Sequence, residues 1–224
     1  MQQRPSPNQD DRPADTPVDM LVLHYTGMQS AQAALGRLCN AEAGVSAHYL
    51  IDEDGQVWSL VSEDRRAWHA GVAWWRGRTD INARSIGIEL VNPGHEFGIT
   101  PFCDPQMLAL IDLGRDILSR FAIPPIHVVG HSDVAPRRKQ DPGELFDWRR
   151  LARAGIGSWP DPCRSPETDA RRALQMLGDI GYETVDPQKA VEAFQRRYRP
   201  HLIDGIIDAD TAGLITAVLA ISSR

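Results

Sequence analysis

The chain has 224 residues, 42% of them apolar, and a formal charge of −6. That length holds one medium domain and a small one, the apolar fraction is that of an ordinary soluble globular protein, and the negative charge argues against a nucleic-acid partner. No run approaches the roughly 20 apolar residues of a membrane-spanning helix, and Cys39, Cys103 and Cys163, with no CxxC pair among them, exclude a thiolate metal cluster and a disulfide framework.

The chain opens with MQQRPSPNQDDRPADTP, which has neither the apolar stretch nor the cleavage site of a secretory leader. It reads as a disordered tail over residues 1–17. The cytoplasm is then the expected compartment, or the periplasm if a leader has been removed. DMLVLHYT follows as a buried-type strand that carries His24 at its end. Ser30 can cap a helix with Ala34, Leu35 and Leu38 on one face and Gly44 as the stop. HYLI, DEDG and QVWSLV predict a hairpin. Residues 62–84 read as an irregular stretch rich in Trp and His. SIGIELVN alternates imperfectly, as a strand covered on both faces would.

Asp104 and Pro105 mark the start of a helix whose Met107, Leu110, Ile111, Gly114, Leu118 and Phe121 recur at helical spacing. IHVVG is a short strand running into GHSDVAPRRKQDPG, and LFDWRRLARAG a short helix. GSWPDPCRSPET, with three prolines, predicts a domain boundary. Beyond it, three helices are expected, with Ala173, Leu174 and Leu177, then Val191, Phe194 and Tyr198, and lastly Thr211 to Leu219. The fold class is therefore α/β, a mixed central sheet flanked by helices over residues 18–160, with a small three-helix unit over 167–224.

Two histidines, His24 and His131, stand at the C-terminal ends of apolar strands, where sites gather in layered α/β proteins. Asp141 follows His131 by ten residues and precedes Pro142 and Gly143. Two His and one carboxylate suit a catalytic zinc with an open fourth position, although spacing alone leaves Asp141 equally able to close a turn. There is no HExxH, so no helix-borne metalloprotease site. Glu89 is an acidic residue inside an apolar strand; it is either ion-paired, with Arg84 the nearest candidate, or a general base of raised pKa. Lys139 is either a solvated member of RRK or a cation aimed at a developing oxyanion. AWHAGVAWWRG packs three Trp and a His into a short span and fits either a core or a groove lining.

LVLHYT, SAHYLI, WHAG, SIGIELVN, GHSDVAPRRKQDPG and LFDW together resemble the zinc-dependent N-acetylmuramoyl-L-alanine amidases of the amidase-2 family, in their AmpD/AmiD-like branch, which are related to a phage lysozyme and to peptidoglycan recognition proteins. The resemblance implies a Zn²⁺ held by His24, His131 and Asp141, with Glu89 acting on water and Lys139 steadying negative charge. It implies weaker groove roles for His48, Tyr49, Trp68 and His69. Phage-type members carry a catalytic Tyr where this chain has Ala47, so Glu89 must do that work. MLGDIGYETVDPQKAVEAFQRRY and IDGIIDADTAGLI resemble a small three-helix peptidoglycan-binding domain. The implied activity is hydrolysis of the amide between N-acetylmuramic acid and L-alanine in peptidoglycan or muropeptides, by a monomer. The alternative is a non-catalytic peptidoglycan-binding protein of the same fold. A zinc deaminase would need a second cysteine near Cys163, and none is there.

Overall fold

The strands are β1 (Gln2–Gln3), β2 (Gln9–Asp11), β3 (Met20–Tyr25), β4 (Tyr49–Ile51), β5 (Val57–Ser59), β6 (Arg65–Ala67), β7 (Ser85–Leu90) and β8 (Val128–Gly130) in a computed structural model that describes residues 1–161 and 169–222. The helices are α1 (Ala31–Leu38), α2 (Ile81–Arg84), α3 (Gly94–Phe97), α4 (Asp104–Arg120), α5 (His131–Val134), α6 (Trp148–Arg153), α7 (Ala170–Ile180), α8 (Pro187–Tyr198) and α9 (Ala209–Ser222). Six strands form one mixed sheet in the order β1-β5-β4-β7-β3-β8, with β4, β7, β3 and β8 parallel and β5 antiparallel to β4. The hairpin read from DEDG is this β4–β5 pair.

Side chains alternate across a strand, so β3 feeds two cores. Leu21 and Leu23, with Ile86, Ile88 and Val128, pack against Met107, Leu110 and Ile117 of α4 and Leu151 of α6. Met20 and Val22, with Val129, face the other way, into a cluster that contains Leu177, Phe194 and Ile215 of α7, α8 and α9. The three C-terminal helices are thus present, but they are not a separate domain. They are the layer that covers the second face of the sheet. The expected unit at 167–224 is corrected on that ground: its apolar stripe and the sheet's own open face bury each other. Part of the expected boundary, with Cys163, lies outside the described residues.

A buried ion pair ties this layer to the turn after β8. Arg197 of α8 donates to Asp133 at 2.9 Å, and Tyr182 donates its hydroxyl to the same carboxylate at 2.7 Å. Asp133 is 0% and Arg197 4% exposed. Removing one partner of such a pair leaves a buried charge uncompensated, a cost of about 3–5 kcal/mol. Arg197 also lies 4.0 Å over the ring of Trp148.

Residues 1–17 are not a disordered tail. β1 adds to the sheet edge beside β5, and β2 pairs antiparallel with β6, a strand that the irregular reading of 62–84 had missed. The anchors are polar, which is why apolar periodicity gave no sign of them. Ser6 donates to the Leu38 carbonyl, and Asn8 donates to the carbonyls of Asn40 and Val45. Arg12 spreads its guanidinium over the carbonyls of Glu63, Asn82, Ala83 and Ser85. Among the described residues, no helix is long and apolar enough to cross a membrane.

Candidate metal centre

β3, β7 and β8 are neighbours and parallel, so their C-terminal ends share one rim. The register sets His24 opposite Glu89, and Leu23 opposite Gly130, one residue before His131. In-register residues of adjacent strands point to the same face, and for His24 and Glu89 that is the face roofed by α7–α9. Asp141 returns to the rim through the loop after α5, whose register is held by Ser132 N–H donating to the Asp141 carbonyl at 2.9 Å.

Among the described residues, His24, His131 and Asp141 bring one ligand atom each to within 4.8 Å of one another, and all three are buried. The triangle is tight: His24 Nδ1 is 2.9 Å from His131 Nδ1 and 2.9 Å from Asp141 Oδ2, and His131 Nδ1 is 3.1 Å from that oxygen. Zinc bonds of about 2.0–2.1 Å place tetrahedral ligands about 3.3 Å apart. His131 donates its Nε2 proton to the Ala70 carbonyl at 2.9 Å, since a carbonyl can only accept, and this leaves Nδ1 as a bare lone pair. A lone-pair nitrogen, a second imidazole nitrogen and a carboxylate oxygen converging at this range are a donor set able to hold a divalent cation. Zn²⁺ fits the donor set, with a fourth position open toward the cleft.

The electrostatics agree. Burial works to raise the Asp141 carboxyl, yet His131 and His24 beside it hold it well below the usual carboxylate range. Burial, reinforced by His131, holds His24 down to about 4, so the imidazole is neutral, as a ligand must be. Burial pushes the Glu89 carboxyl well up, Asp141 adds to this, and Lys139 opposes it. Glu89 Oε2 is shut off from solvent without a protein partner. The ion-pair reading of Glu89 fails, because Arg84 turns to Asp19 and donates its Nε at 2.7 Å.

A cleft of about 960 Å³ opens over the triangle, lined by His24, His131 and Asp141 with Glu89, Lys139 and Trp68. Of the expected groove residues, Trp68 and His69 reach it, His69 only at its floor, 8% exposed. His48 and Tyr49 do not line it. His48 is fully buried; its Nδ1 accepts from Gly87 N–H, and its Nε2 faces Arg12. Tyr49 points to the opposite face of the sheet and donates to Glu63 at 2.9 Å. Alternation decides Tyr49, which is in register with Ile88 and so faces away from the side that Glu89 shares with His24; His48, just before β4, is kept from the cleft by burial and by its partners Gly87 and Arg12.

Burial and then the charge of Arg12 bring His48 down to about 3. Between that value and the unfolded value of about 6.5, the unfolded chain binds one more proton than the folded one. This contribution to stability is therefore whole above pH ~6.5 and is lost as the pH falls toward 3. Denaturant unfolding between pH 4 and 6 should be steeper in pH for the parent than for His48→Gln, by about 1.4 kcal/mol per unit.

Sequence reasoning missed the groups behind the ligands. The Ala70 carbonyl leaves no mark on a sequence. Asn82, whose Oδ1 accepts from the N–H groups of His69 and Ala70, lay in a stretch with no periodicity. Along the rim, Tyr25 Oη is 2.8 Å from His95 Nδ1, and His95 Nε2 is 3.0 Å from Glu144; neither His95 nor Glu144 sits in a recognisable motif.

A family model described as N-acetylmuramoyl-L-alanine amidase matches residues 14–144. The chain is 38% identical to N-acetylmuramoyl-L-alanine amidase AmiD of Escherichia coli K12, over 90% of this chain and 82% of that one. It is 37% identical to the 1,6-anhydro-N-acetylmuramyl-L-alanine amidase AmpD of Enterobacter cloacae, over 66% and 86%. Among solved structures, the Escherichia coli AmiD complex with anhydro-N-acetylmuramic acid-L-Ala-D-γ-Glu-L-Lys superposes with a TM-score of 0.83 at 38% identity, covering 94% of this chain and 92% of that one. AmpDh3 of Pseudomonas aeruginosa superposes with a TM-score of 0.86 at 33% identity, covering 96% of each.

Proposed function

The chain belongs to the N-acetylmuramoyl-L-alanine amidase family, and from that premise we propose that it hydrolyses the amide between the lactyl group of N-acetylmuramic acid and L-alanine, in peptidoglycan or (anhydro)muropeptides. The observation that carries this reading is the triangle of two imidazole nitrogens and a carboxylate oxygen under an open cleft, with Glu89 beside it.

His24, His131 and Asp141 would hold the zinc. When bound, it supplies a Lewis acid that makes water nucleophilic near neutral pH and draws electron density from the amide carbonyl. Glu89 takes the proton from the attacking water through its unpartnered Oε2 and hands it to the nitrogen of the leaving L-alanine, so that the C–N bond breaks to a neutral amine. The raised pKa of Glu89 suits both halves of that transfer. Lys139, at the cleft wall, sets its ammonium against the negative charge that builds on the carbonyl oxygen. Trp68 offers the cleft an aromatic surface on which a sugar ring or a peptide can lie. The ligand set is complete within one chain, which supports a monomer. The helices α7–α9 resemble a peptidoglycan-binding unit in sequence; we propose that they act here by roofing the sheet and holding the His131 turn through Arg197.

Mass spectrometry of products from sacculi and from anhydro-muropeptides, with and without a chelator, tests the reading. The expected product is a free stem peptide headed by L-alanine, lost on chelation and restored by zinc. Release of that peptide at an unchanged rate after verified metal removal, or no release from either substrate, would sink it.

A further inference from the structure

His69 touches the cleft only at its floor, and the mechanism above does not use it. It lies behind His24, with its Nδ1 3.0 Å from His24 Nε2 and its own Nε2 3.2 Å from Ser85 Oγ. Ser85 donates its single hydroxyl proton to the Ile81 carbonyl at 2.6 Å. That last bond fixes the direction of the row. A carbonyl can only accept, so the Ser85 hydroxyl is spent and its oxygen must accept from His69. His69 then carries its proton on Nε2 and presents a bare Nδ1 to His24. His24 must in turn carry its proton on Nε2, which leaves its Nδ1 lone pair for the metal triangle.

We infer that His69 is a positioning residue that fixes the tautomer and ring orientation of the ligand His24, through a one-way row of hydrogen bonds anchored at Ser85 and the Ile81 carbonyl. The site is built for it. A side chain at Gly87 would put its Cβ 2.5 Å from the His69 ring, so only glycine lets the ring lie across β7 at this place. The backbone on both sides of the ring is pinned by Asn82, whose Oδ1 accepts from His69 N–H at 3.1 Å and from Ala70 N–H at 2.7 Å. The pinned Ala70 carbonyl then takes the Nε2 proton of His131. One two-residue segment therefore sets the proton of both ligand imidazoles, His24 by a side chain and His131 by a carbonyl.

The inference rests on the zinc reading, and the test separates the two. Zinc affinity of the full chain is measured by competition with a chromophoric chelator, for the parent, His69→Gln, His69→Phe and Ser85→Ala. Glutamine can accept from His24 and donate to Ser85, whereas phenylalanine fills the space and does neither. The expected result is a His69→Gln variant close to the parent and a His69→Phe variant weaker by about 10–100-fold. The cobalt-loaded His69→Phe protein should also show shifted visible bands, and His69→Gln the parent's bands. Ser85→Ala keeps both rings and should lose about tenfold, the low end of the same range. It decides the matter should His69→Phe fail to fold. A His69→Phe or Ser85→Ala protein that folds and binds zinc as tightly as the parent, with the same cobalt spectrum, overturns the inference. A parent that takes up no zinc overturns the metal reading itself, and that failure is visible before any variant is compared.

Discussion

Glu89→Gln should keep its full complement of zinc and lose about 10²–10⁴-fold in kcat, the range that a positioned general base contributes. The substitution changes almost nothing in shape. Glu89 is on β7 opposite His24, between Leu50 of β4 and the metal triangle, and an amide fills the same volume. What it removes is the only chemistry the carboxylate offers there: an acceptor with no protein partner on Oε2, poised to take a proton and to give it up again. The carboxylate's charge is costly where it is, because burial and Asp141 both push its pKa up, so the folded variant should be no less stable than the parent. Steady-state release of stem peptide, with zinc measured by emission spectroscopy on the same preparation, checks both halves. A variant turning over within a few-fold of the parent would show that water loses its proton to some other group.

His24→Ala should lose metal and activity together. Two donors remain, and a bidentate remnant cannot hold a tetrahedral ion in a cleft open to water. A Lewis acid supplies several kcal/mol to the transition state, and each ~1.4 kcal/mol is tenfold in rate. The expected fall in kcat/KM is therefore about 10³-fold or more, with zinc content far below one per chain. Excess zinc in the assay should restore little, since the lost donor is part of the protein. Full zinc occupancy in this variant would mean that the ion is held elsewhere, and the triangle would lose its meaning.

Much of the fold is legible because it rests on local patterns. The β3 strand, the Ser30-capped helix α1, the β4–β5 hairpin, the long helix α4 and the three C-terminal helices follow from period, caps and turns, although α1 ends at Leu38 and Gly44 instead closes a separate 3-10 turn over Ala41–Ala43. The N-terminal segment is different. Its hold comes from Ser6, Asn8 and Arg12 reaching carbonyls some thirty to seventy residues away, and nothing in a polar, proline-rich stretch announces where its donors will go. The C-terminal helices show the opposite error. Their apolar stripes are visible, but a stripe does not say what covers it, and the sheet face of Met20, Val22 and Val129 shares the covering with the helices themselves.

Residue type and local period alone mark the side chains with the chemistry: two imidazoles at strand ends, an acid and a lysine in the stiff loop after the second of them, and a carboxylate inside an apolar strand. It takes the folded chain to show that His24, His131 and Asp141 meet at one point, that Glu89 shares their face while Tyr49 does not, and that His69 stands behind His24 at the floor of the cleft. The reason is physical. Convergence depends on strand order and register, which are set by long-range pairing, and the proton on each ligand depends on backbone carbonyls, which every residue carries alike.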